Sequence, residues 1–200
     1  MRVNNSLGIA ALDRGLGCPF ATRACKECYY IKFVRVYHHT LVAYHTRREQ
    51  AWIAGPAVFG EGLTSHNTRV RVCKGGEPIR ELADVDRLYR LCGLYPGTLF
   101  WVPTRAHHNR EIMQALAPRN RPANLRMLAS TDVDTTRAHW ARLDRAGWSM
   151  MYHGGSADIP PPTPAHKCAK TWEHTLGHCA TCSEGCFNPC QTTVWLKFHR

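Results

Sequence analysis

The chain has 200 residues and a formal net charge of +11, from 26 Lys and Arg against 15 Asp and Glu. With 44% hydrophobic residues and six Trp it can bury a real core, which excludes a disordered chain and fits one domain or one domain with a small appendage. No apolar run reaches membrane-spanning length and the N-terminus lacks the layout of a signal peptide, so a cytoplasmic protein is expected, its ten cysteines thiols rather than disulfides.

In chain order, the first chemistry-bearing stretch is Cys18, Cys25 and Cys28, spaced C-x6-C-x2-C and followed by Tyr29 and Tyr30. Three thiolates this close in sequence can converge on one soft metal centre and leave a coordination position for another ligand. Residues 69–73 form a β-branched run ended by Lys74-Gly75-Gly76-Glu77-Pro78. Apolar residues at Ile79, Leu82, Val85, Leu88 and Leu91 then carry a helical period. Gly93 and Pro96-Gly97 break the chain before a second strand at 99–102, with Thr104 and Arg105 just beyond it. A helix at 110–116 stopped by Pro118, a strand at 125–129 followed by Ser130-Thr131-Asp132, and a helix at 135–145 with Asp134 or Thr135 as N-cap come next. A fourth strand at 148–152 is followed by His153. Strand–helix alternation with short connections predicts an α/β fold with a parallel sheet, whose strand-end polar residues gather on one rim.

The stiff 160–164 run marks a boundary between an expected barrel domain at 1–159 and a cysteine-rich tail at 160–200. The tail carries Cys168, Cys179, Cys182, Cys186 and Cys190 within 23 residues, beside His166, His174 and His178. The C-x10-C-x2-C-x3-C spacing of the first four can close a four-cysteine site for an auxiliary iron–sulfur cluster or for zinc, with Cys190 spare or replacing Cys186. Cys73 and Cys92 are isolated in apolar context and read as small buried hydrophobes. The His38-His39 and His107-His108 pairs show no partner in sequence and read as surface or substrate-side residues. The charge, rich in Arg, suits a polyanionic partner, with nucleic acid first.

Taken together and in this order, the three-cysteine loop and Gly75-Gly76-Glu77-Pro78, 47 residues past Cys28, resemble the radical S-adenosylmethionine superfamily. The x6 spacing, where the superfamily usually has three residues, and the cysteine-rich tail are similar to phage gene-product families with a C-x6-C-x2-C-Y motif. The resemblance implies a partial (β/α) barrel of about six parallel strands with a cysteine-rich C-terminal appendage. It implies a [4Fe–4S] cluster on Cys18, Cys25 and Cys28, and S-adenosylmethionine bound through Gly75, Gly76, Glu77 and Pro78. By position, Tyr29, Arg105, Ser130 and Asp132 would face the cofactor, Asp132 or Ser130 at the ribose hydroxyls and Arg105 at the carboxylate. The implied activity is reductive cleavage of S-adenosylmethionine, with an electron donor such as flavodoxin or ferredoxin. The expected substrate is a nucleotide or nucleic-acid base, in phage DNA modification in the host cytoplasm.

Two readings from other classes stand beside it. One is a zinc-stabilised nucleic-acid-binding module without catalysis, motivated by charge and tail. The other is a zinc-containing base-exchange enzyme with a carboxylate nucleophile such as Asp132 or Asp134.

Overall fold

The structure, a computed structural model, describes residues 2–4, 9–22, 25, 29–73, 75–155, 157–172, 179, 181–182, 186–187 and 193–197, the side chains of 2–4, 29, 31–33 and 169–170 excepted. Cys28, Cys190, His174, His178 and the side chain of Tyr29 lie outside these.

Ile9–Leu12 (β2) is a four-residue apolar run, fully buried, as a strand covered on both faces should be. Arg2–Asn4 (β1) pairs with it antiparallel, Val3 opposite Ala10. Five elements return the chain in parallel: Arg69–Val72 (β3), Leu99–Thr104 (β4), Leu125–Asp132 (β5), Ser149–His153 (β6) and Thr193–Leu196 (β8), with Ala165–Lys167 (β7) parallel at the far edge. The resulting sheet has the order β1-β2-β3-β4-β5-β6-β8-β7 and is open. It holds seven parallel strands where about six were expected, because the cysteine-rich segment supplies two of them. β8 sits between β6 and β7, so the segment expected as an appendage forms the sheet's far edge.

Side-chain alternation splits the sheet into two faces. Leu12, Val72, Phe100, Val102, Met127, Ala129, Met150 and Tyr152 point into the main core. Helices cover that face: His38–Ala54 (α2), Pro56–Phe59 (α3), Leu82–Leu94 (α4), Arg110–Ala115 (α5) and Arg137–Arg145 (α6), through Trp52, Phe59, Leu88, Leu91, Ile112, Trp140 and Leu143. Tyr29–Val36 (α1) precedes α2, and Ala169–Trp172 (α7) links β7 to β8. On the second face, Ile9, Trp101, Leu128 and Val194 pack with Phe187, Cys168, Cys179 and Cys186. Among the described residues no helix is long and apolar enough to cross a membrane.

Three boundaries differ from expectation. β5 runs to Asp132, which makes Ser130 and Asp132 strand residues rather than loop residues beyond it. Thr104 is likewise the last residue of β4. α6 is capped by Thr136, whose hydroxyl accepts from the His139 amide, rather than by Asp134 or Thr135. Those two are used one turn earlier: the Asp134 amide donates to Asp132 Oδ1, and Thr135 Oγ1 accepts from the Asp132 amide.

Candidate active site at the strand rim

The segment after β3 turns sharply at Gly75-Gly76-Glu77-Pro78. Gly76 has φ +76, and a Cβ there would stand 2.7 Å from the Gly15 carbonyl oxygen. A Cβ on Gly75 would run into the ring of Tyr30. Only glycine fits such a left-handed, closely approached backbone. The turn lies against the loop that follows β2, where the Glu77 amide donates to the Gly17 carbonyl at 2.7 Å, one residue before Cys18. The three-cysteine loop and the Gly-Gly-Glu-Pro turn, distant in sequence, therefore share one end of the sheet.

A buried charge network holds this contact. Arg14 donates to Glu49 at 3.0 Å, to the Pro78 carbonyl at 2.8 Å and to Asp84 at 2.5 Å. Asp84, 0% exposed, also accepts from Trp52 Nε1 at 2.7 Å, from the Arg80 amide at 2.8 Å and from Arg87 at 2.9 Å. Arg80 donates to the Gly15 carbonyl at 2.5 Å and pairs with Glu49 at 3.2 Å. His45 on α2 bridges the Arg14 carbonyl and the Tyr30 hydroxyl.

Glu77 is buried at the end of this turn. Its Oε1 accepts from Thr104 Oγ1 at 2.5 Å and from the Ile79 amide at 3.1 Å, and its Oε2 accepts from the Arg105 amide at 2.7 Å. Burial pushes its carboxyl up to about 7, while these hydrogen bonds pull the other way.

Arg105 and Asp132, expected to face a cofactor separately, are paired with each other at 2.7 Å. Asp132 also accepts from the Thr22 hydroxyl at 2.7 Å, and Thr22 Oγ1 lies 3.7 Å from Cys25 Sγ. Burial opposes the Asp132 charge, yet Arg105, Thr22 and the Asp134 amide outweigh it and hold the carboxyl below its ordinary range. Thr22 is thus a link between cysteine loop and rim that carries no motif in the sequence. Cys18 is exposed and Cys25 half-buried, both thiols, and soft donors of this kind suit an iron–sulfur centre. Ser130 is half-buried, and its carbonyl accepts from His107 Nε2 at 2.9 Å.

Cys73 and Cys92 are buried as expected, and burial pushes Cys92 up to about 12. Cys73 has φ +62, and its Sγ accepts from the Arg14 amide at 3.3 Å, so it also shapes the backbone beside the turn.

Of the tail cysteines, Cys168, Cys179 and Cys186 pack on the second face. Burial raises the Cys186 thiol, and the neighbouring Cys168, Cys179 and Cys182 raise it further, while Arg71 opposes them. A metal cation bound here would remove the penalty on the Cys186 thiolate. Arg69 Nη1 fixes the segment by donating to the Cys179 and Cys182 carbonyls at 3.0 and 2.9 Å. Phe187 packs edge-on against Trp101, their centroids 5.8 Å apart.

His107 corrects the surface assignment made for the His107-His108 pair. It is buried, 1% exposed, and its Nδ1 lies 3.0 Å from Nε2 of His139 on α6. Burial lowers His107 to about 3, with the hydrogen bond to Ser130 opposing, and lowers His139 to about 4. Thirty-two residues separate the two, and no local pattern announces their meeting.

Neither the curated proteins nor the solved structures include a match to this chain. A family model does match, over residues 3–192, which takes in the cysteine loop, the glycine turn, the rim and the tail cysteines. Over nearly its whole length, then, the chain belongs to the Gene product 88 family.

Proposed function

We propose that this protein is a radical S-adenosylmethionine enzyme built on a partial (β/α) barrel. The observation that carries the reading is the junction of the Gly75-Gly76-Glu77-Pro78 turn with the loop leading into Cys18, at the C-terminal ends of parallel strands. Strands β2 to β6 follow one another in sequence order with helices on one face, which is the winding a barrel needs.

Cys18, Cys25 and Cys28 would hold the [4Fe–4S] cluster. Gly75 and Gly76 open the backbone to close approach, and Glu77 would meet the methionyl ammonium. Arg105 commits one of its donors to Asp132 and keeps others for the cofactor carboxylate. Ser130, Asp132 and Pro78 would complete the lining, with Asp132 also bonded to Thr22 beside Cys25, and Tyr29 is proposed beside them from its place in the sequence. When bound, the cluster supplies the electron that breaks the sulfonium bond of S-adenosylmethionine, drawing on a donor of flavodoxin or ferredoxin class. The tail site, on Cys168, Cys179, Cys182 and Cys186 or with Cys190 in exchange, would hold a second iron–sulfur cluster or zinc.

The substrate is a nucleotide or nucleic-acid base, as in phage DNA modification. The +11 charge and the abundance of arginine support it, since guanidinium groups bind phosphate in a planar fork. A base would have to leave its duplex to reach the rim, which favours single-stranded or free nucleotides.

Anaerobic reconstitution with iron and sulfide should give a brown protein whose reduced [4Fe–4S] signal shifts on adding S-adenosylmethionine, and Cys25→Ser should abolish it. A colourless protein holding stoichiometric zinc overturns the assignment. That result favours the second reading, a zinc-held nucleic-acid-binding module, which draws on the Cys168, Cys179 and Cys182 thiols gathered around Cys186. Its binding would weaken with salt and survive Glu77→Gln without added cofactor.

A further inference from the structure

We propose that His107, His108 and His139 form a three-imidazole site for a zinc-class divalent cation, with one coordination position open, beside the strand rim. Their ligand nitrogens all lie within 4.8 Å of one another. Two structural elements converge to make it. His107 and His108 stand on the tight turn Ala106–His108 after β4, and His139 on the first turn of α6.

The orientation of His107 is already that of a ligand. Its Nε2–H donates to the Ser130 carbonyl at 2.9 Å, which fixes the tautomer and turns the unprotonated Nδ1 toward the other two rings. A backbone carbonyl in this role is the usual support of a metal-binding imidazole. A tetrahedral ion with Zn–N bonds of about 2.0–2.1 Å needs nitrogens about 3.3 Å apart. His107 Nδ1 and His139 Nε2 are 3.0 Å apart, and the ring centroids stand 4.4, 5.0 and 4.8 Å from one another. Small ring rotations therefore suffice.

Without an ion, His139 Nε2–H donates to His107 Nδ1, and Arg142 Nη2 donates to His139 Nδ1 at 3.3 Å. Binding moves the His139 proton from Nε2 to Nδ1, with no net proton lost, and requires Arg142 to withdraw. Arg142 is exposed and has water to swing into. Arg105, the other nearby cation, is neutralised by Asp132. Three neutral imidazoles suit zinc, cobalt, nickel or ferrous iron rather than magnesium or calcium. Three protein ligands with a vacant fourth position mark sites that bind water or substrate rather than purely structural ones.

The site is independent of whatever the cysteines hold. The test uses full-length protein carrying Cys168→Ser and Cys182→Ser, titrated anaerobically with Co2+ and followed by its visible absorption and by equilibrium dialysis. Expected, in the difference between this protein and its His108→Gln form, is a cobalt spectrum of nitrogen and oxygen ligands without thiolate charge transfer, with uptake of that equivalent weakened tenfold or more by His108→Gln and by His139→Gln. His108 is exposed, so its variant should fold even where a change at buried His107 does not. Equal cobalt uptake by this parent protein and by its His108→Gln and His139→Gln forms, or a difference spectrum made up of thiolate charge transfer, overturns the proposal.

Discussion

Glu77 is 3% exposed, and burial raises its carboxyl from an ordinary 4.5 to about 7 in spite of Thr104, Arg105 and Ile79. The native state therefore binds that proton more tightly than the unfolded chain does. Its contribution to stability is full below about pH 4.5, falls as pH rises toward 7, and is flat above, by at most about 3 kcal/mol. Glu77→Gln cannot ionise. Relative to wild type, the variant should gain stability between pH 5 and 7 and hold a constant offset above 8, read from urea midpoints at each pH. Parallel profiles would refute the assignment. The glycines of the chain divide in the same way. Gly76→Ala meets both a φ of +76 and the Gly15 carbonyl, and should cost about 1–3 kcal/mol and S-adenosylmethionine binding with it. Gly93, inside α4 with nothing near its absent Cβ, should instead gain about 0.5–1 kcal/mol on change to Ala. Denaturant unfolding of the two variants side by side checks the opposite signs.

At the scale of elements, α2 and α4 are joined less by apolar packing than by Arg14, Glu49 and Asp84. Asp84→Asn leaves the buried Arg14 guanidinium with Glu49 as its carboxylate partner, and should cost up to about 3 kcal/mol, the lower end for breaking a buried pair. Glu49→Gln, at a side chain 25% exposed, should cost clearly less. Equal urea midpoints for the two variants would show that burial does not set the ranking. The same chemistry explains which elements the sequence announces. α4 was legible because Val85, Leu88 and Leu91 repeat at helical spacing, though its start shifts to Leu82, where Glu81 and Asp84 form a capping box. Strands β3 to β6 were legible as apolar runs between turn residues. The 17-residue α2 was not, because the face it turns inward carries His45, Arg48 and Glu49 beside Leu41 and Trp52. A helix whose core-facing residues are ion-paired has no hydrophobic period to read. β7 and β8 are three- and four-residue strands in a cysteine-rich context, too short to stand out before their partners are known.

For the whole molecule, the candidate site was legible in its residues and not in its links. The cysteine spacing and the Gly-Gly-Glu-Pro turn are local, whereas Thr22 to Asp132 and His107 to His139 are products of the fold. The tail carries the same lesson into stability. Its cysteines were expected to share a site, but the spacing gives no hint that β8 would enter the sheet between β6 and β7. That placement would tie a metal bound by these cysteines to the fold. The Cys168 amide donates to the Trp195 carbonyl at 2.9 Å, and Trp172 donates to the same carbonyl at 3.1 Å while stacking edge-on against Trp195. A metal held by Cys168, Cys179, Cys182 and Cys186, as proposed, would bind the native state in preference and so stabilise β7, α7 and β8. Strands β2 to β6 also keep a core of Val72, Phe100, Met127 and Tyr152 on the helix-covered face, and share with the tail only the second face of Ile9, Trp101 and Leu128 and the β6–β8 pairing. Cys168→Ser with Cys182→Ser, or chelation, should therefore lower the first thermal transition by about 10 °C or more, since each kcal/mol moves Tm by about 2–4 °C at this size. The loss should be seen first in the near-ultraviolet signal of Trp172 and Trp195, with the parallel core melting later. A single transition at an unchanged temperature would mean that the tail cysteines hold no metal that matters to the fold.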